Sequence, residues 1–219
     1  MTDQATITTL VSDLKAWAQQ NAPGIIFNPP ADLAAIDHFR NLSSLNLPDA
    51  ITEMLLFTNG ESQKSAGLIG NWRLMSIQEI QAAWGWLAAL AAKGAFDEQS
   101  PLPSPYLYHT WWHRAWVPIV SSDTGDYVCL DTDPPESQRA GQLLLFLQDQ
   151  PERYLVAANL AAWLAQIKAD FDAGLYAYDE ENGFNSEALM WSALEGKHHF
   201  DQIPGKIIAE ENRNNENTP

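Results

Sequence analysis

A chain of 219 residues, 46% of them hydrophobic and nine of them tryptophan, can bury a substantial core, which excludes global disorder and fits a domain of about 150 residues with appendages. Residues 1–116 carry 6 basic and 10 acidic side chains and residues 117–219 carry 6 and 18, so the net charge of −16 is concentrated in the second half. That balance repels phosphate backbones and sets nucleic acid aside, and it suits either a basic protein partner or solubility alone.

Cys129 stands alone, so no internal disulfide can form. The absence of a basic then apolar start, and of an apolar run of about 18 residues, reads as a soluble cytoplasmic chain with no membrane partner.

In chain order, Ile7, Leu10, Val11, Leu14 and Trp17 recur at helical spacing and predict an amphipathic helix over 6–20, stopped by Asn21, Pro23 and Gly24. Leu33, Ile36 and Phe39 predict a second helix from Ala31 to about Leu42. Pro48 suits a first helical position, and Ile51, Met54 and Leu55 carry a third helix to Asn59-Gly60, which tolerates a left-handed end. Gly67 to Met75 reads as a strand. Ser76-Ile77-Gln78-Glu79 is a capping-box pattern that opens a fourth helix, whose buried stripe is Ile77, Ile80, Trp84, Leu87 and Ala91 and which ends near Gly94. Pro101, Pro103 and Pro105 mark a connector.

Trp116–Val120 and Tyr127–Leu130 are β-prone runs separated by a polar loop, and Gln142–Phe146 and Arg153–Ala157 follow with turns between them. Asn159 caps a last amphipathic helix carrying Leu160, Trp163, Leu164, Ile167 and Phe171, closed by Gly174. Ser186 to Leu194 suggests one more helix, and the final ten residues are polar enough to stay disordered. The whole predicts an α+β fold with an antiparallel sheet of five or six strands and helices packed against it.

Three stretches in a fixed order carry a family resemblance. The first runs from Leu47-Pro48 through a helix to Asn59-Gly60 and on to Leu74-Met75-Ser76-Ile77-Gln78-Glu79. The second is Trp116-Val117-Pro118 followed by Asp123-Thr124-Gly125-Asp126 and Asp131-Thr132-Asp133-Pro134. The third is Gly141-Gln142-Leu143-Leu144, leading to the last strand and helix. In these the chain resembles the SUKH superfamily, whose members include fungal cell-wall-assembly regulators and bacterial immunity proteins.

The likeness spans about residues 31–172, leaving residues 1–30 as an N-terminal helix and linker and 173–219 as an acidic extension. It implies a non-enzymatic protein-binding module. The reading favoured here is an immunity protein that neutralises a cognate basic, nuclease-like toxin, and the alternative is a regulatory scaffold recruiting cellular proteins.

Several residue groups suggest chemistry. Asp123, Asp126, Asp131 and Asp133 read as an oxygen-rich cluster, suited to loop capping or to receiving Lys and Arg from a partner, and Glu136 extends it. An EF-hand register fails, because Pro134 stands where a bidentate glutamate is needed. His109 and His113 are four apart, as in helical zinc sites, but their aromatic surroundings read as irregular, and no metal or cofactor is expected. Trp111 and Trp112 are neighbours, so in an extended segment only one ring easily enters the core, and the other reads as lining a groove between elements or, exposed beside the acidic loops, as a partner-binding anchor. Cys129 reads as a small buried hydrophobe.

Overall fold

The computed structural model describes residues 6–69, 72–104, 106–122 and 124–174. The element order is α1 (Ile7–Asn21), α2 (Leu33–Ser43), α3 (Asp49–Phe57), β1 (Arg73–Leu74), α4 (Ile77–Ala92), β2 (Trp116–Ser121), β3 (Tyr127–Asp131), β4 (Leu143–Phe146), β5 (Arg153–Ala157) and α5 (Leu160–Asp172). Five helices and a five-stranded antiparallel sheet make the expected α+β fold. The strands lie in sequence order, β1-β2-β3-β4-β5, so β1 and β5 are the edges.

Local signals act where the sequence places them. Thr6 caps α1 by accepting from the Thr9 amide. Ser76 and Glu79 form a reciprocal capping box on α4, which satisfies free backbone donors of the first turn from both sides. Asn159 caps α5 through the Ala162 amide. Gly94 and Gly174 adopt φ of 72° and 68° beyond the ends of α4 and α5.

Two helix starts shift. α2 begins at Leu33, because the Asp32 carboxylate takes the Ala34 amide as an N-cap while the Ala31 amide is drawn to Leu55 O. Pro48 stands one position before α3, in extended conformation.

The strand expected over Gly67–Met75 shrinks to the two residues of β1. Gly67 takes φ 94°, which breaks the extended run, and Ile69 and Trp72 form an isolated bridge that folds the chain back on itself. β2 carries a register shift between Pro118 and Val120. A proline cannot donate to the ladder, and a bulge beside it absorbs the missing bond.

One hydrophobic core joins α1 to the sheet and to the other helices. α1 packs on α5 and α3, with Trp17 stacked on Phe171 at 4.0 Å, and Glu53 of α3 accepts from Thr8 N and Oγ1. α4 packs on β2 and α2 through its buried face. Trp84 meets Phe39 of α2 edge-on, and its Nε1 donates to Arg114 O at 2.7 Å, while Arg114 reaches Ser43 O. The predicted helix over Ser186–Leu194 and the polar C-terminus lie outside the described residues.

The register fixes one row across the whole sheet: Arg73, Ser121, Tyr127, Phe146 and Arg153 stand directly opposite one another in turn. Directly paired residues of antiparallel strands project to the same face. The row therefore begins and ends with an arginine, one on each edge strand.

Candidate functional site: a groove at the β1 edge

At the Arg73 end of that row, α4 passes beside the sheet and leaves a groove of about 290 Å³ lined by Arg73, Met75, Glu79, Ala82, Ala83, Trp86, Ser121 and Tyr127. Glu79, Ala82, Ala83 and Trp86 are spaced three, four and seven along α4, so one helix face supplies half the wall. β1 and the residue after it supply Arg73 and Met75, and the ends of β2 and β3 supply Ser121 and Tyr127.

Trp86 is 57% exposed. From Ala82 to Ala92 α4 reads AAWGWLAALAA, with no polar or charged side chain on either face. A helix apolar on its outer side as well as its inner one is suited to being covered.

The floor of the groove is polar. Arg73 Nη1 lies 3.6 Å from Glu79 Oε1 and 3.4 Å from Ser62 O. The other Glu79 oxygen accepts from Ser76 N and Oγ, so the capping carboxylate also serves the ion pair.

Behind β1 sits Glu61, only 1% exposed. Its Oε2 accepts from Leu74 N at 2.7 Å, its Oε1 accepts from Ser65 Oγ at 2.6 Å, and its own amide donates to Leu74 O. The side chain and backbone of one residue thereby occupy both hydrogen-bonding groups of Leu74 and close the outer edge of β1. Burial raises the Glu61 pKa to about 7, against the pull of Ser65, the Leu74 and Leu68 amides and the charge of Arg73.

The acidic residues picked out from the sequence do not form one cluster. Asp126 lies in the β2–β3 turn, whereas Asp131 is the last residue of β3 and Asp133 and Glu136 follow it. Five strand residues at about 3.3 Å each separate the two groups by about 16 Å. Asp123 lies outside the described residues.

The carboxylates of Asp126, Asp131 and Glu136 each have a local partner. Asp126 accepts from Gln148 N and Thr124 Oγ1. Asp131 is fully buried, accepts from Gln142 Nε2 and Asp133 N, and its pKa is raised by burial, partly offset by the Gln142 bond. Glu136 pairs with Arg139 at 2.9 Å, whose guanidinium lies 4.0 Å over Tyr106. Only Asp126, near Ser121 and Tyr127 in sequence, belongs to the groove end of the sheet.

The expectation that one of Trp111 and Trp112 is exposed fails. Both are buried. Trp112 packs edge-on against Trp116 and Phe146, and Trp111 lies under the Arg153 guanidinium at 4.7 Å. The segment is irregular, so neighbouring side chains need not point to opposite faces as they would in a strand.

His109 Nε2 lies 2.8 Å from Pro101 O, and His113 stacks on Tyr108. No helix brings the two imidazoles to one side. Among the described residues, no three His, Cys, Asp or Glu side chains are grouped to hold a metal ion. Cys129 is buried in the middle of β3, and burial pushes its thiol pKa well up. No helix of the described residues is long and apolar enough to cross a membrane.

The groove was missed in the sequence, yet it left a trace there. Trp86 falls off the buried stripe that Trp84 and Leu87 define, and a large aromatic on the outer face of a helix is a surface anchor in waiting.

Residues 30–166 match the model of the SMI1 / KNR4 family (SUKH-1). The chain is similar to the cell wall biosynthesis/cell cycle regulator smi1 of Schizosaccharomyces pombe, 26% identical over 175 residues that make 74% of this chain and 34% of that protein. It is also similar to a glucan synthesis regulatory protein of Neurospora crassa, at 22% identity over 75% of this chain and 38% of that protein. The cell wall assembly regulator SMI1 of Saccharomyces cerevisiae matches at 22% identity over 39% of this chain and 17% of its own length. The chain thus spans little more than a third of the length of the first two of these relatives and less of the third. The names are those of regulators, not of enzymes.

Proposed function

The chain belongs to the SMI1 / KNR4 family (SUKH-1), and from that premise we propose that it is a non-enzymatic regulatory module that recruits a protein partner through the groove at the β1 edge. The observation that carries this reading is Trp86, an exposed tryptophan in the uncharged stretch 82–92 of α4, beside a pocket with an ion pair in its floor. Tryptophan beside a desolvated pocket is the composition of a binding hot spot. The regulator names of the relatives support this over toxin neutralisation.

Charge supports a basic partner. Residues 117–174 carry nine acidic and three basic side chains, and residues 175–219 carry the same numbers, so the acidity of the second half is shared equally between the sheet-and-helix region and the C-terminal segment. Such a surface raises the rate of encounter with a cation, and the apolar anchor then sets the rate of release. Toxin neutralisation remains the second reading, because the same acidity suits a cationic toxin.

The test is affinity capture with the wild-type chain and with Trp86→Ala in parallel. The proposal expects partners that survive a high-salt wash on the wild type and are absent from the variant. A set of regulatory or envelope-assembly proteins favours recruitment, and one stoichiometric basic toxin domain favours neutralisation. Equal retention by both baits removes the groove from the account.

A further inference from the structure

Along the outer side of α4, Glu79, Ala82, Trp86, Ala89 and the C-cap Lys93 follow one another at intervals of three and four residues, the spacing that keeps side chains on one side of a helix. Ala82, Trp86, Ala89 and Lys93 are exposed, and Glu79 is partly so. The buried stripe of Ile77, Ile80, Trp84 and Leu87 lies opposite this line.

The line is nearly a palindrome about Trp86. Ala82 stands four residues before the tryptophan and Ala89 three after it. Glu79 and Lys93 stand seven residues before and seven after, about 10 Å along the axis on either side. Residue size is therefore symmetric about the centre, and charge is antisymmetric. Against a second copy running the opposite way, Glu79 of each chain meets Lys93 of the other. A copy running the same way sets Glu79 on Glu79 and Lys93 on Lys93, which repel.

No charged side chain stands between Glu79 and Lys93, so in a chain of net charge −16 this strip approaches a copy without repulsion along its middle. An added Cβ at Gly85 meets no atom within 4 Å, and with Ala82 and Ala89 it leaves room beside Trp86 for a second ring. Glu79 uses Oε2 on Ser76 and meets Arg73 at 3.6 Å through Oε1, an oxygen that a second cation can also reach.

We propose that α4 is a self-association face: two copies of the chain pair antiparallel along it, as a two-fold dimer with Trp86 at the axis and a Glu79–Lys93 pair at each end. A helix of 16 residues is about 24 Å long, and one such pair buries less than the roughly 1,200 Å² of a stable complex. The dimer is accordingly weak, with a dissociation constant of about 10–500 µM. α4 is also a wall of the groove. On the reading that the groove takes a protein partner, pairing withholds Trp86 from that partner, so self-association sets how much of the chain is open to bind.

Sedimentation of the full chain from about 5 µM to about 1 mM tests the proposal, with a monomer–dimer equilibrium as the expected result. Trp86→Ala and Lys93→Glu should each loosen the dimer about tenfold or more. Lys168→Glu, which changes the net charge equally from α5, should shift it less than about twofold. A chain that stays monomeric throughout overturns the dimer. So does one that pairs regardless of Trp86→Ala and Lys93→Glu, or that Lys168→Glu loosens as much as Lys93→Glu.

Direction is read by oxidising cysteine variants at exposed positions, with the buried Cys129 kept from reacting. Ala82→Cys mixed with Ala89→Cys should form a disulfide-linked dimer, since antiparallel pairing sets each of these positions beside the other. Either variant linking to itself as readily means parallel pairing and overturns the proposal. The groove reading fails separately: a foreign partner held equally by the wild type and Trp86→Ala removes it, while sedimentation still decides the dimer.

Discussion

Two buried arginines end the same row of the sheet, one on each edge strand, and they are used in opposite ways. Arg153 on β5 gives Nη1 to the carbonyls of Leu147, Gln150 and Glu152 and Nη2 to that of Trp111. Its plane lies 4.4 Å over Phe146 and 4.7 Å over Trp111. Burial lowers its pKa to about 10, so it remains a cation at neutral pH.

Arg73 on β1 instead shares a carboxylate with the wall of a groove. A buried cation whose donors are turned to backbone carbonyls is a staple. Arg73 meets a side-chain carboxylate at the groove as well as the Ser62 carbonyl, and under the proposed function β1 is the recognition edge and β5 the structural one.

Removing the staple should have the largest effect. Arg153→Ala leaves four carbonyls and two aromatic faces without their cation, and a loss of about 3–5 kcal/mol in urea unfolding is expected. A loss below about 1 kcal/mol would erase the contrast between the edges.

The second test acts through Glu61, whose folded pKa is raised from 4.5 to about 7. A raised pKa means the native state holds its proton more tightly. That stability is fully present below the unfolded value and is lost as pH rises through the folded one, here between 4.5 and about 7. Glu61→Gln removes the titrating group, at the cost of one of the two accepting oxygens, and should flatten the dependence. Melting curves across the range decide it, and parallel curves for the two proteins would count against the buried-acid account.

Trp86→Ala sharpens the contrast from the groove side. Partner affinity should fall about tenfold while stability stays within about 0.5 kcal/mol, since the ring is outside the core. Trp84→Ala, one residue pair away on the buried face, should do the reverse and cost about 3–5 kcal/mol in stability.

The smallest effect is expected at Gly85, where an added Cβ meets no atom within 4 Å. Gly85→Ala should stabilise by about 0.5–1 kcal/mol through helix propensity alone, with binding unchanged. Loss of binding in that variant would show that the apolar face of α4 needs a close backbone approach.

Most of the fold was legible along the chain because its determinants are local. The Ser76–Glu79 capping box, the Asn159 cap and the apolar periods of α1, α4 and α5 fall where short-range spacing put them. β5 was read to the residue. Misreadings came where a distant group competed with a local one: Leu55 O withdrew the Ala31 amide from α2, and the turn at Gly67 cut the first strand to two residues. The candidate site was less legible. Four aspartates close in sequence were read as one cluster, and of the three that the structure describes, the five-residue β3 sets Asp126 at one end and Asp131 and Asp133 at the other. Two adjacent tryptophans were read as in and out, and an irregular backbone buried both.

The sequence by itself determined the element order, the α+β class, the family and the acidic balance, since each depends on neighbours within a few residues or on sums over the chain. Only the tertiary structure decided that Arg73, Glu79, Trp86 and Tyr127 share a groove and that Glu61 lies behind it. Those residues come from three strands, a helix and a loop, and strand register and helix packing, which join positions far apart in the chain, alone bring them within reach of one another.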